Sequence, residues 1–181
     1  MKNESKTEGY FGMTDKARTS PAPAPPAPVA PAALDTIDRA ILRLLARDAT
    51  VPLAIMAKEV GLSATPCWKR IKRMEEAGVI QGRVVALSPE RLGYPVSVFV
   101  SIETADHSDG WIAKFAEVVA TMPEIVGAWR MSGDVDYLLH VMAPDIPSYD
   151  AFYRRLIAAV PLRNVSSRFA MERMKSGPPP I

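Results

Sequence analysis

The 181-residue chain has one cysteine, Cys67, and two histidines, His107 and His140. A single thiol excludes an intrachain disulfide and suits a reducing compartment. Neither histidine has cysteine or acidic neighbours at metal-ligand spacing, so no metal site is expected. No apolar run reaches the roughly eighteen residues needed to span a bilayer. The opening stretch, 1–19, is polar, and the apolar residues after it are broken by prolines, so no signal-peptide core is expected and the cytoplasm is the expected location. There is no nucleophile–base arrangement and no phosphate-cradling glycine loop. No catalytic residue, cofactor or enzymatic activity is therefore expected. Excess charge is scarce too: 22 Lys and Arg stand against 20 Asp and Glu, which does not announce a general polyanion binder.

What the chain does have is organised in blocks. Pro21, Pro23, Pro25, Pro26, Pro28 and Pro31 alternate with alanines. This composition favours extended polyproline II and offers no face to bury, so 1–33 is expected to be a disordered tail. A PxxP docking segment is the other reading of that tract. Structure is expected from Leu34. Asp35 can cap a helix with Ile37, Ile41, Leu44 and Leu45 at i, i+4, i+7, i+8 spacing, and Asp38 lies in its first turn, where the helix dipole favours an anion. Pro52 suits the first position of a second helix, with Leu53, Met56, Ala57 and Val60 inward, and Gly61 breaks it. Ser63 is expected to cap a third helix that Gly78 ends.

That succession is a helix-turn-helix over 34–82, and its last helix is crowded with Lys69, Arg70, Lys72 and Arg73. Cys67, Ile71 and Met74 form the inward stripe, which leaves Thr65, Trp68, Lys69 and Lys72 outward near the N-terminal half, where base edges are reached. Lys69 or Lys72 can donate to guanine O6 and N7, and Thr65 can meet a thymine methyl or a phosphate. Arg70, Arg73 and Arg83 are expected on phosphates, and Ser63 at the start of the helix belongs to the same DNA-contacting set. Trp68 either packs along the sugar-phosphate backbone or covers the neighbouring helix. Cys67 reads as a small core residue, with a redox sensor as the alternative.

Val79 to Leu87 alternates loosely and is expected to be a strand, either a wing or part of a connector (83–93). From Tyr94 the period changes. Val96, Val98, Val100 and Ile102 mark a strand; Trp111, Ile112, Phe115, Val118, Val119 and Met122 a helix. Ile125–Met131 and Tyr137–Met142 are strands joined by the turn SGDVD. Tyr149, Phe152, Tyr153, Leu156 and Ile157 mark a helix and Val165–Met174 a last strand. The order β-α-β-β-α-β over 94–175 is the ferredoxin-like arrangement, followed by a short tail at 176–181. The fold class is α+β. Helices cover only one face of such a sheet, and the other would carry Phe99 or Trp129, so a partner subunit is expected over it.

In this order and spacing, LDTIDRAIL (34–42), VGLSATPCWKRIKRMEEAGVI (60–80) and MSGDVDYLLHV (131–141) resemble the Lrp/AsnC family of feast/famine regulators, and the resemblance covers Leu34 to about Lys175. It implies homodimers that assemble into larger rings, often octamers, with amino-acid effectors bound between C-terminal domains. The runs CWKRIKR, WRMSGDVDY and SSRFAMERMK are most similar to a branch associated with cysteine sensing. The family usually places an arginine and a small polar cap ahead of the second helix, where this chain has Thr50 and Pro52. The turn after Met131 becomes the effector candidate. Gly133 lets the backbone approach a small molecule, and its neighbouring amides can hold a carboxylate. Asp134 or Asp136 can accept from an ammonium, beside Tyr137. The resemblance suggests that Ser166 and Ser167 add hydroxyls from a neighbouring subunit. The plainer reading is a polar hairpin turn. The expected function is sequence-specific transcriptional regulation through double-stranded DNA and a small amino acid. The alternative is an architectural, nucleoid-type protein that wraps DNA with little sequence preference.

Overall fold

The computed structural model describes residues 32–181, so the tail expected at 1–33 lies almost wholly outside the described residues. The first helix, α1 (Thr36–Arg47), starts at a reciprocal cap: Asp38 N–H donates to the Asp35 carboxylate and Asp35 N–H donates to the Asp38 carboxylate. Two otherwise orphaned donors are thereby satisfied. The second helix, α2 (Leu53–Glu59), begins one residue later than expected, with Pro52 at the cap position. Gly61, at φ +70°, turns the chain. The third, α3 (Ala64–Glu76), has Ser63 at its cap position, but the expected side-chain capping bond is not made. Gly78, at φ +69°, lets the N–H groups of Val79 and Ile80 return to the Met74 carbonyl at 2.9 and 3.1 Å. Ile41, Met56, Ala57, Cys67, Ile71 and Met74 are buried at the centre of the three helices. Each of the larger side chains contributes roughly 1.5–3 kcal/mol by leaving water.

The strand expected at Val79–Leu87 does not form. Val79 and Ile80 pack against the helical core, while Val84 and Val85 are 93% and 81% exposed. β-Branched residues favour an extended chain, but a strand needs a partner ladder, and among the described residues none lies beside this segment. A single 3-10 turn, Glu90–Leu92, leads into the second domain.

That domain runs β1 (Val96–Glu103), α4 (Asp109–Thr121), β2 (Ile125–Arg130), β3 (Tyr137–Ala143), α5 (Ile146–Ala159) and β4 (Asn164–Phe169). The sheet order is β2-β3-β1-β4 and every neighbouring pair is antiparallel. This is the expected split arrangement, although β4 stops at Phe169, short of the expected Met174. Period-two alternation sorts its faces. Val98, Val100, Ile102, Tyr137, Leu139 and Val141 are buried in one core with Trp111, Phe115, Tyr149, Phe152 and Leu156 of α4 and α5. Phe99, Leu138, His140 and Trp129 lie on the uncovered face, with Phe99 36% and Trp129 49% exposed. Trp129 extends over Gly127, where a Cβ would stand 2.5 Å from its ring. The C-terminal run returns to the first domain: Arg43 Nε donates to the main-chain oxygen of Ile181 at 3.1 Å.

Candidate DNA and effector sites

The inward stripe of α3 is the expected one, Cys67, Ile71 and Met74, so the helix surface divides into two flanks. Thr65, Trp68, Lys69 and Lys72 are exposed on one of them. Trp68 is 49% exposed and lines a shallow groove with Leu45, Val51 and Met56. Lys69 has no ion-pair partner among the described residues. Lys72 Nζ sits 2.9 Å from Glu75, which also receives Arg83 at 3.1 Å. These two bonds hold the Glu75 carboxyl below its usual range, that to Lys72 most.

The other flank is committed to α1. Arg70 Nη1 donates to Asp35 at 2.5 Å and to Asp38 at 2.8 Å, and Arg73 Nη2 donates to the second Asp38 oxygen. The Asp38 side chain has no solvent exposure at all. Arg70 and Arg73, expected on phosphates, have guanidinium groups that neutralise a buried carboxylate, while the Arg73 side chain stays 56% exposed. Magnitudes decide which cations remain available. Breaking an exposed pair such as Lys72–Glu75 costs about 0–1 kcal/mol. Stripping partners from a buried charge costs about 3–5 kcal/mol. Lys72 and Arg83 can turn toward a polyanion cheaply; for Arg70 and Arg73 to leave Asp38 together would strand its buried carboxylate. Asp35 and Asp38 at i, i+3, matched by arginines at i, i+3 on α3, was the signal in the sequence for this clamp.

Cys67 is fully buried, and burial pushes its thiol pKa up. A lowered, reactive thiol is not what this site provides.

In the second domain the turn between β2 and β3 is tied at its base by Met131 N–H donating to the Asp136 carbonyl at 2.8 Å. Gly133 has φ +114°, a value that side-chain-bearing residues rarely adopt. Met131, Ser132, Gly133 and Asp134 are exposed. The Asp136 carboxylate accepts from the Thr104 N–H through one oxygen at 2.8 Å, and its other oxygen lies 4.0 Å from His107. Tyr137 is displaced from the expected site, buried among Trp111 and Phe115 with ring centroids 5.7 and 4.6 Å away. Ser166 and Ser167 point to opposite faces, as adjacent strand residues must. Ser167 Oγ shares a 2.5 Å hydrogen bond with the Tyr149 hydroxyl on the helix side, while Ser166 pairs with Ser101 in register on the uncovered side. The two hydroxyls cannot serve one ligand. Met131, Gly133 and Asp134 remain together at the turn.

On the uncovered face, His140 stacks on Phe99 (centroids 4.7 Å apart, planes at 10°), and its Nε2 lies 2.8 Å from Ser97 Oγ. Burial, and secondarily the charge of Arg173, lowers the His140 pKa. Among the described residues no cluster of His, Cys, Asp and Glu could hold a metal, and no helix is long and apolar enough to cross a membrane.

Three helices that leave one flank of the last helix open and cationic, joined to an antiparallel sheet with one bare face, are the architecture of a helix-turn-helix protein with an α+β second domain. Residues 34–81 match the winged helix-turn-helix DNA-binding family, and residues 97–180 match the Lrp/AsnC ligand binding domain. The chain is 48% identical over 143 residues to the DNA-binding transcriptional activator DecR of Escherichia coli K12, covering 78% of this chain and 94% of that protein. It is 42% identical over 142 residues to the glutamate uptake regulatory protein of Zymomonas mobilis, covering 78% and 87%. The crystal structure of an AsnC family transcriptional regulator from Agrobacterium tumefaciens superposes with a TM-score of 0.76 at 56% identity, covering 80% of this chain and 94% of that one. A Neisseria meningitidis transcriptional regulator in complex with L-Met gives 0.75 at 26% identity, with the same coverage. The chain belongs to the Lrp/AsnC family of transcriptional regulators.

Proposed function

We propose that this protein is a sequence-specific transcriptional regulator, not an enzyme, which reads double-stranded DNA with the Thr65–Trp68–Lys69–Lys72 flank of α3 and senses a small amino acid through its C-terminal domain. The observation that carries the reading is the division of α3: one flank is locked to α1, and the other offers hydroxyl, indole and ammonium groups to solvent. A helix of this width fits the major groove, and two copies related by a two-fold axis would meet half-sites about 34 Å apart. The bare sheet face with Phe99, Trp129 and His140 supports a homodimer, with assembly to a larger ring such as an octamer as the further step. The turn at Met131, Gly133 and Asp134 supplies what a zwitterion requires: an approachable backbone, a carboxylate and an apolar side chain. The L-Met complex of the Neisseria relative supports an amino-acid ligand, and the motif resemblance makes cysteine the first to try. A cytoplasmic location follows from this role. Regulation requires that the amino acid bind the DNA-competent and incompetent states unequally.

The test is a gel-shift titration at fixed salt on DNA upstream of the protein's own gene, against excess random DNA, with a panel of amino acids including cysteine. Retention of the promoter fragment, altered by one amino acid, is the expected result. Lys69→Ala combined with Lys72→Ala is expected to weaken that shift tenfold or more, by removing about two phosphate or base contacts, while leaving the circular dichroism melt unchanged. Binding indifferent to sequence and to ligand would transfer the assignment to an architectural DNA-wrapping protein.

A further inference from the structure

We propose that Asp38 is a positioning residue for DNA reading: it sequesters two arginine charges of α3 and so confines the helix's contacts with DNA to its reading flank. The proposal rests on α3 being the DNA-facing helix and goes beyond it by assigning a role to a residue of α1 that touches no DNA.

The geometry is that of a clamp. The Asp38 carboxylate, wholly buried, takes Arg70 on one oxygen at 2.8 Å and Arg73 on the other, while Asp35 takes Arg70 again at 2.5 Å. The same two carboxylates cap α1, each accepting the other's backbone N–H at 2.8 and 3.1 Å. One end of α1 thereby fixes α3 at two points a helical turn apart, 70 and 73, which sets both its tilt and its rotation about its own axis. The carboxylates also neutralise two guanidinium groups that would otherwise flank the groove. A free arginine binds any phosphate, so every loose cation beside a recognition helix adds affinity for all sequences alike. Capturing Arg70 and Arg73 restricts contact to Thr65, Trp68, Lys69 and Lys72, where base edges are within reach.

A clamp of this kind leaves a signature that a purely structural residue does not. In Asp38→Asn the side-chain volume is kept and the charge is lost, so Arg73 loses its carboxylate partner while Arg70 keeps Asp35. The full-length variant is compared with wild type on a duplex enriched from a random pool by the wild-type protein, and on random duplex of equal length, each across a salt series. Affinity for the enriched duplex is expected to fall at least tenfold. Affinity for random DNA is expected to hold or rise, and its log–log salt slope to steepen by about 0.9, the value for one added phosphate contact, that of Arg73. Arg73→Gln, which removes one of the cations, is expected to lose enriched-site affinity without any steepening. Should Asp38→Asn fail to fold, Asp35→Asn carries the test, since it keeps the buried carboxylate and loosens only Arg70; steepening by up to about 0.9 is expected. Parallel losses on both duplexes, or no change on either, would overturn the proposal. Absence of binding by the wild-type protein itself would instead overturn the DNA-reading assignment.

Discussion

Asp134 and Asp136 sit two residues apart in one turn and do different work. The Asp134 side chain is in solvent, whereas the Asp136 carboxylate accepts the N–H of Thr104, a residue only 5% exposed, and so ties the β2–β3 turn to the end of β1. Truncating Asp136 leaves a buried donor unsatisfied, and Asp136→Ala is expected to destabilise the C-terminal domain by about 1–3 kcal/mol, read from the urea midpoint. Composition could not separate the two aspartates, since both carry the same charge in the same polar stretch. Only the approach of Thr104, thirty-two residues away in sequence, distinguishes them. Tyr137 was obscured for a similar reason: a tyrosine beside a glycine turn suits a ligand site as well as a core, and the decision rests with Trp111 and Phe115 on another element.

The helices and strands were legible wherever apolar periodicity ran for two turns or more. The Ile37–Leu45 stripe, the Cys67–Ile71–Met74 stripe and the alternation of Val96–Ile102 each carry their own burial pattern. The segment after Gly78 forms no strand, because extended propensity is local while strand pairing is not; Val84 and Val85 have the chemistry of a strand and no pairing strand among the described residues. The α1–α3 clamp was half legible. Asp35 as a cap followed from its position, but the burial of Asp38 depends on two arginines more than thirty residues on. Its electrostatics give a further prediction. Hydrogen bonding from the Asp38 backbone, then from Arg70, lowers the pKa of Asp35. A carboxylate with a depressed folded-state pKa stabilises the fold above the unfolded value, about 3.9, and this contribution is lost as pH falls through the folded value. The melting temperature of the helix-turn-helix is expected to drop below about pH 4, and Asp35→Asn is expected to flatten that drop in circular dichroism melts across the acid range.

The described residues form two cores that share no residue, one within three helices and one between a sheet and its two helices. Each domain leaves one surface unfinished: a cationic helix flank in the first, a bare aromatic sheet face in the second. The sheet face is shaped around Trp129, whose ring fills the space above Gly127. Gly127→Ala puts a methyl group 2.5 Å from that ring and is expected to displace the indole, shift its fluorescence and weaken the proposed homodimer in sedimentation velocity, with little change in the domain's secondary structure. The clamp has a consequence for anyone wishing to retarget such a protein. The thirteen residues of α3 are not a portable cassette. Grafted into a scaffold without acids matching Asp35 and Asp38, they would arrive with two untethered arginines and trade recognition for adhesion. A working transplant has to move the start of α1 with them.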